Sequence, residues 1–139
     1  MWRVRLILKR STVLVADDHV VVLARVLSLL DPIFQVVGTA CDGADLVAKA
    51  QRLCPDVIVL DITMPRVNGI EAAHRLRELG SVAKLVFLTV NDQPEFVQAC
   101  IREGGMGYVT KVRMAMDLIP AINEALLNRR FLSPTVNLI

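Results

Sequence analysis

Thr12-Val-Leu-Val-Ala-Asp-Asp18 and Val57-Ile-Val-Leu-Asp61 decide the fold of this chain, because each is an unbroken apolar run that stops on carboxylates. Two later stretches repeat the pattern with other polar groups. Leu85-Val-Phe-Leu88 runs into Thr89, and Gly107-Tyr-Val-Thr110 runs into Lys111. Short runs rich in Val, Ile and Leu suit strands buried on both faces, as in a parallel sheet. Ligands of open parallel α/β sheets sit beyond the carboxyl ends of the strands. Three carboxylates, a hydroxyl and an ammonium from distant parts of the chain are therefore expected to converge on one sheet edge.

The segments between these runs read as helices. The first helix is expected over 20–30, with Asp18 and His19 near its start and Asp31-Pro32 ending it, since Pro biases its predecessor away from helix. A second strand is expected over 34–40. Asp42 can cap a helix to about residue 53, with Ala44, Leu46, Val47 and Ala50 on one face, and Pro55 closes it. Pro65 and the pair Asn68-Gly69 mark a loop after Asp61. Helices over 70–79, 93–103 and 115–127 follow, the first ended by Gly80 and the second by Gly104-Gly105. The five β–α units predict an α/β fold: a doubly wound, five-stranded parallel sheet with five helices, layered α/β/α. One domain is expected over 12–127, preceded by an extension over 1–11 and followed by the start of a linker over 128–139.

A chain of 139 residues with 54% hydrophobic residues suits one domain with a core that needs no metal or disulfide staple. The net charge of +2 does not argue for nucleic acid. Cys41, Cys54 and Cys100 form an odd set without CxxC spacing and read as buried thiols of a reducing cytosol. The longest apolar runs fall far short of the roughly 20 residues a spanning helix needs. The segment 1–10 is too short in its apolar centre, broken by Arg5, for a signal peptide. A cytoplasmic domain with no membrane contact is expected.

Neighbouring carboxylates repel unless a cation sits among them. A hard divalent ion answers that, and Mg²⁺ tolerates two carboxylates together with waters and phosphate oxygens. Asp17, Asp18 and Asp61 thus suggest a Mg²⁺ site awaiting a phosphoryl group. Asp61 stands alone at its strand end and needs no general base, so it is the expected nucleophile. Lys111 can neutralise phosphoryl oxygens and Thr89 can donate a hydrogen bond to one. Each residue alone has a plainer reading: Asp18 as a helix cap, Thr89 as a strand end, Lys111 as a solvated charge, Tyr108 as a core aromatic. Their joint placement at four strand ends favours chemistry. His19 and His74 are expected to lie outside it.

These residues match a known pattern. Val15-Ala-Asp-Asp-His19, Leu60-Asp-Ile-Thr-Met-Pro-Arg-Val-Asn-Gly69, Phe87-Leu-Thr89 and Gly107-Tyr-Val-Thr-Lys111 resemble the receiver domain of bacterial two-component response regulators. The resemblance implies a flavodoxin-like sheet of order 2-1-3-4-5. It implies Asp61 as phosphoacceptor for a sensor histidine kinase, Mg²⁺ held by Asp18 and Asp61, Asp17 acting through water, and the Thr63 carbonyl completing the ligands. Thr89 and Tyr108 would form a switch pair, Tyr108 rotating in from a more exposed position, and Lys111 would contact the phosphoryl group. No turnover on an external substrate is implied.

Val36-Val-Gly-Thr-Ala-Cys-Asp-Gly43 and Arg130-Phe-Leu-Ser-Pro134 resemble the NarL/LuxR-type subfamily, which carries a C-terminal helix-turn-helix domain. DNA contact would then belong to a domain outside these residues, and phosphorylation would favour a homodimer through the surface of helix 4, strand 5 and helix 5. Two positions depart from the family pattern: Val112 follows Lys111 where Pro is frequent, and Val90 follows Thr89 where a small residue is frequent. Thr63 and Asn91 lie where the family tunes phosphoryl lifetime. A haloacid-dehalogenase-type phosphatase would want a second Asp at Thr63, and an FMN carrier would want hydroxyls where Asp17 and Asp18 stand. A receiver that serves only as an interaction module remains the alternative. The first helix is apolar around most of its circumference, which leaves two readings open: an exposed edge including Leu23 and Leu27 docks a kinase or a second receiver, or the extra apolar groups pack on the last helix or the N-terminal segment.

Overall fold

A computed structural model describes residues 10–134 and Val136. β1 (Thr12–Ala16), α1 (Val20–Leu30), β2 (Gln35–Ala40), α2 (Gly43–Leu53), β3 (Val57–Leu60) and α3 (Gly69–Glu78) come first. β4 (Lys84–Thr89), α4 (Pro94–Arg102), β5 (Gly105–Thr110), α5 (Met114–Leu126) and β6 (Phe131–Leu132) follow, with one 3-10 turn at Lys111–Arg113. The sheet order is β2-β1-β3-β4-β5-β6, and every pair is parallel. The five expected strands take the expected order.

The sixth strand is an addition. It comes from the segment read as a linker, where Phe131 and Leu132 align with Gly107 and Tyr108 of β5. Asn128 turns the chain at the end of α5 by adopting a left-handed backbone, φ 59°, a conformation Asn tolerates better than most residues. α5 thereby serves as the crossover between two parallel strands.

Alternate residues of each strand feed opposite faces of the sheet. Leu14, Ile58, Leu60, Phe87 and Tyr108 pack with Leu46 of α2, Leu76 of α3 and Val97 of α4. Val13, Val15, Val59, Val86 and Val109 pack on the other side with Val26 and Leu30 of α1 and Leu118 and Ile122 of α5. Three helices cover one face and two the other. This is why the strands read as continuous apolar runs.

One open reading is decided and one expectation changes. Leu23 and Leu27 are half-buried against the α1–α5 core, and the large apolar residues that α1 leaves open are Val20 and Val21, 76% and 75% exposed. A helix lying over a sheet edge sends one stripe inward, and Leu23 and Leu27 fall on that stripe with Val26 and Leu30. Cys41 and Cys54 are exposed rather than buried; only Cys100 is in the core, where burial pushes its thiol pKa up to about 12. The expected extension over 1–11 lies, for residues 1–9, outside the described residues. Among the described residues no helix is long and apolar enough to cross a membrane.

Candidate functional site

The hydrogen-bond ladder continues one residue past β1 and β3, and this fixes the acids. Asp17 N–H donates to the Ala40 carbonyl and Asp61 N–H to the Ala16 carbonyl, both at 3.0 Å. Asp17 and Asp61 are buried, while Asp18 is exposed at the rim. Asp61 Oδ1 accepts from Ile62 N–H at 2.7 Å, and Asp61 Oδ2 accepts from Lys111 Nζ at 2.9 Å. The same ammonium lies 2.8 Å from Asp17 Oδ2. Lys111 therefore bridges two buried carboxylates. Burial of its ammonium lowers its pKa, but contact with Asp17 and Asp61 outweighs that, and the net direction is upward.

The loop after Asp61 is held by two close backbone approaches. A Cβ on Gly69 would sit 1.9 Å from the Asp61 carbonyl oxygen, and one on Gly43 would sit 1.9 Å from the Val67 carbonyl oxygen. Gly69 N–H donates to the Ile62 carbonyl at 2.7 Å, tying the start of α3 to the strand end that carries Asp61. Arg66, with a left-handed φ of 66°, reaches Asp42 at 3.0 Å. Asp42 caps α2, as the sequence suggests, by accepting from Asp45 N–H.

Thr89 is fully buried at the end of β4, and its Oγ1 accepts from the backbone N–H of Asn91 at 3.3 Å and from the Asn91 side-chain amide at 3.2 Å. Tyr108 donates its hydroxyl to the Asn91 carbonyl at 2.6 Å. Tyr108 is not in the more exposed position expected of it. Its ring is buried in the α2–α4 side of the core, and burial pushes the phenol pKa well above its ordinary value. Asn91 thus joins both members of the expected switch pair. Thr63 is exposed two residues beyond Asp61, and Val90 points largely to solvent, 73% exposed.

His19 belongs to the site after all. Its backbone N–H donates to Asp17 Oδ1 at 2.8 Å, and its Nδ1 lies 3.0 Å from Asp17 and 3.2 Å from Asp18. It occupies the N-cap position of α1 directly behind two acids, and the Asp-Asp-His run was the available signal. His74, by contrast, pairs with Glu78 and Glu103 on the α3–α4 side, away from the acids.

Ligand atoms of Asp17, Asp18, His19 and Asp61 lie within 4.8 Å of one another. Asp17 Oδ2 is buried 2.8 Å from the Lys111 ammonium, a charge contact without good hydrogen-bond geometry. A cluster rich in carboxylate oxygens of this kind fits a hard divalent cation.

Comparison with known proteins agrees with this geometry. The curated "Response regulator GacA" of Pseudomonas viridiflava is 35% identical over 127 residues, 89% of this chain and 59% of that protein. The "Nitrate/nitrite response regulator protein NarL" of Escherichia coli (strain K12) is 34% identical over 125 residues, 88% of this chain and 58% of that protein. The chain thus spans a little over half the length of the curated relatives it matches. A crystal structure of a LuxR-family two-component response regulator from Aurantimonas sp. SI85-9A1 superposes with a TM-score of 0.87 at 29% identity, covering 92% of this chain and 93% of that one. Residues 13–123 match the model of the response regulator receiver domain, and the chain belongs to that family, with relatives of the NarL and LuxR type.

Proposed function

We propose that Asp61 accepts a phosphoryl group from a histidine of a sensor kinase. A carboxylate oxygen of Asp61 would bond to phosphorus as the bond from phosphorus to the donor nitrogen breaks. The observation that carries this reading is the buried Asp61 held 2.9 Å from Lys111, an arrangement that places a cation where it can meet the incoming phosphoryl oxygens. Asp18 and Asp61 would hold Mg²⁺ directly, Asp17 through water, with the Thr63 carbonyl as a further ligand. When bound, the ion supplies neutralisation of charge on the phosphoryl oxygens.

The hydroxyl of Thr89 accepts two hydrogen bonds from Asn91, which leaves its own O–H free to donate to a phosphoryl oxygen. Turning toward that oxygen would loosen the Asn91 contact, and Asn91 also receives Tyr108. The surface of α4, β5 and α5 would shift with them and bias dimerisation or an output domain. The domain is read as 12–127, with 128–139 leading toward a C-terminal DNA-binding domain such as the longer relatives' length allows for. The domain would act in the cytoplasm as a switch, without turnover on an external substrate.

The test is intact-protein mass after incubation with acetyl phosphate and Mg²⁺, beside Asp61→Asn. One metal-dependent phosphoryl gain, missing from the variant, is the expected result. A wild-type chain that gains nothing from acetyl phosphate and binds no beryllofluoride would leave only the interaction-module reading.

A further inference from the structure

Resting on the phosphoacceptor reading, we propose that Ser133 and Asp117 are positioning residues for Lys111, and that through them the docking of β6 is coupled to phosphorylation at Asp61. Ser133 is 2% exposed although it follows a two-residue strand near the end of the described chain. Its N–H donates to the Tyr108 carbonyl at 2.9 Å, and its Oγ accepts from Thr110 N–H at 3.3 Å. One serine therefore spans the peptide groups of β5 immediately ahead of Lys111.

The hydroxyl proton goes elsewhere, to Asp117 Oδ2 at 2.8 Å. Asp117, 5% exposed in the first turn of α5, also accepts from Arg113 Nε at 2.7 Å and from the Arg113 guanidinium again at 3.2 Å. Arg113 ends the turn that Lys111 begins. Lys111 is thus held from both sides, Thr110 before it through Ser133 and Arg113 after it through Asp117. Hydrogen bonds from Arg113 keep the Asp117 carboxyl below its ordinary range, so the acceptor is charged and its bonds are charge-assisted.

The functional consequence follows from reach. Lys111 Nζ touches two carboxylates at 2.8 and 2.9 Å, a double contact that a small displacement of its backbone would break. β4 flanks β5 on its inner side and β6 on its outer side. Undocking β6 would release Thr110 N–H and one partner of Asp117 together. The coupling is reciprocal: a change in what Lys111 binds is felt at Ser133.

The experiment uses the full chain as wild type, Ser133→Ala and Ser133→Thr. Phosphorylation by acetyl phosphate with Mg²⁺ is followed at several donor concentrations, and amide hydrogen exchange over β5 and β6 is measured with and without beryllofluoride and Mg²⁺. Ser133→Ala is expected to lower the maximal rate about tenfold with the half-saturating donor concentration little changed, as loss of a positioning contact does. Ser133→Thr, which keeps the hydroxyl, is expected to restore the rate. Beryllofluoride is expected to alter exchange over residues 131–133 in the wild type and not in Asp61→Asn. A Ser133→Ala chain that loses β6 protection yet phosphorylates at the wild-type rate would overturn the coupling. Unaltered exchange over 131–133 in wild type binding beryllofluoride would overturn it too, even if Ser133→Ala does not fold. A wild type that gains no phosphoryl group overturns the phosphoacceptor reading first and this one with it, so the two failures are distinct.

Discussion

Replacing Gly69 with Ala tests how tightly the fold holds the phosphoacceptor. Gly69 does not have a positive φ, so Ala meets no backbone strain there and only space decides the outcome. The added Cβ would lie 1.9 Å from the Asp61 carbonyl oxygen, 2.9 Å from its carbonyl carbon and 3.0 Å from Ile62 Cα. All three are backbone atoms, so no rotamer change relieves the clash. Asp61 and the start of α3 must separate by about 1.5 Å to reach an ordinary contact distance. Overpacking of this kind costs roughly 1–3 kcal/mol. Ala gains back about 1 kcal/mol of helix propensity, which leaves a net loss of up to about 2 kcal/mol. For a domain of this size that is a Tm lower by up to roughly 10 °C. The larger effect falls on chemistry, because a reactive group displaced by about 1 Å can lose on the order of 10²-fold in rate. The control is Gly80→Ala. Gly80 has φ +80° with no atom within 4 Å of a built Cβ, so it incurs a left-handed strain of about 1–2 kcal/mol without touching Asp61. Thermal melts and intact-mass phosphorylation time courses on both variants separate the two effects. Similar melting losses with phosphorylation slowed only in Gly69→Ala is the expected pattern. Equal phosphorylation rates in both would refute the claim that Gly69 sets the position of Asp61.

Two further outcomes follow from burial. Leu23→Glu is expected to destabilise the domain by roughly 2–3 kcal/mol, since it puts a charge against the α1–α5 core, whereas Val20→Glu on the exposed edge should stay within about 0.5 kcal/mol of wild type in denaturant titrations. If the α1 edge docks a kinase, Val20→Glu slows phosphotransfer from it, and unchanged transfer removes that edge as a docking surface. A disulfide-exchange reagent should titrate Cys41 and Cys54 in the native chain and Cys100 only in denaturant, because burial raises the Cys100 thiol to about 12; three fast thiols under native conditions would contradict the packing around α4.

Strand order, helix positions and the convergence of Asp17, Asp18, Asp61, Thr89 and Lys111 were legible because they rest on local patterns. A parallel strand buried on both faces leaves a continuous apolar run, and the residue after it is at the functional edge by topology. β6 was not legible. Phe131 and Leu132 are too few to form a pattern, and what holds them is pairing with β5, packing on the two cores and a serine that reaches an aspartate sixteen residues earlier. The outward face of α1 stays open in the sequence for a related reason. Val20, Val21, Leu23 and Leu27 look alike on a wheel, and which of them meets α5 depends on how the helix sits over the sheet. His19 has no second histidine or cysteine at ligand spacing, and its partners are the two aspartates just before it.

The charges of the site give the switch its direction. Asp17, Asp18 and Asp61 set three negative charges against the single ammonium of Lys111, which leaves two that a divalent cation would cancel. A phosphoryl group on Asp61 would carry roughly one charge more than the carboxylate it replaces, by analogy with other phosphorylated side chains. That surplus would appear next to Lys111, which now divides itself between Asp17 and Asp61 at nearly equal distances. A cation shared evenly between two anions moves toward whichever becomes more negative, and its attraction falls off only as the inverse of distance. Lys111 would therefore leave Asp17 for the phosphoryl group. The backbone that must follow is the segment from Thr110 to Arg113, whose two ends are fastened to Ser133 and Asp117. Thr89 and Tyr108 would carry the change toward α4 through Asn91, while Lys111 carries it toward β6 and the chain beyond. Both routes leave Asp61 toward β5 and meet at Tyr108, whose hydroxyl donates to the Asn91 carbonyl and whose own carbonyl accepts from Ser133 N–H, so a variant at Asn91 should disturb the docking of β6 as well as α4.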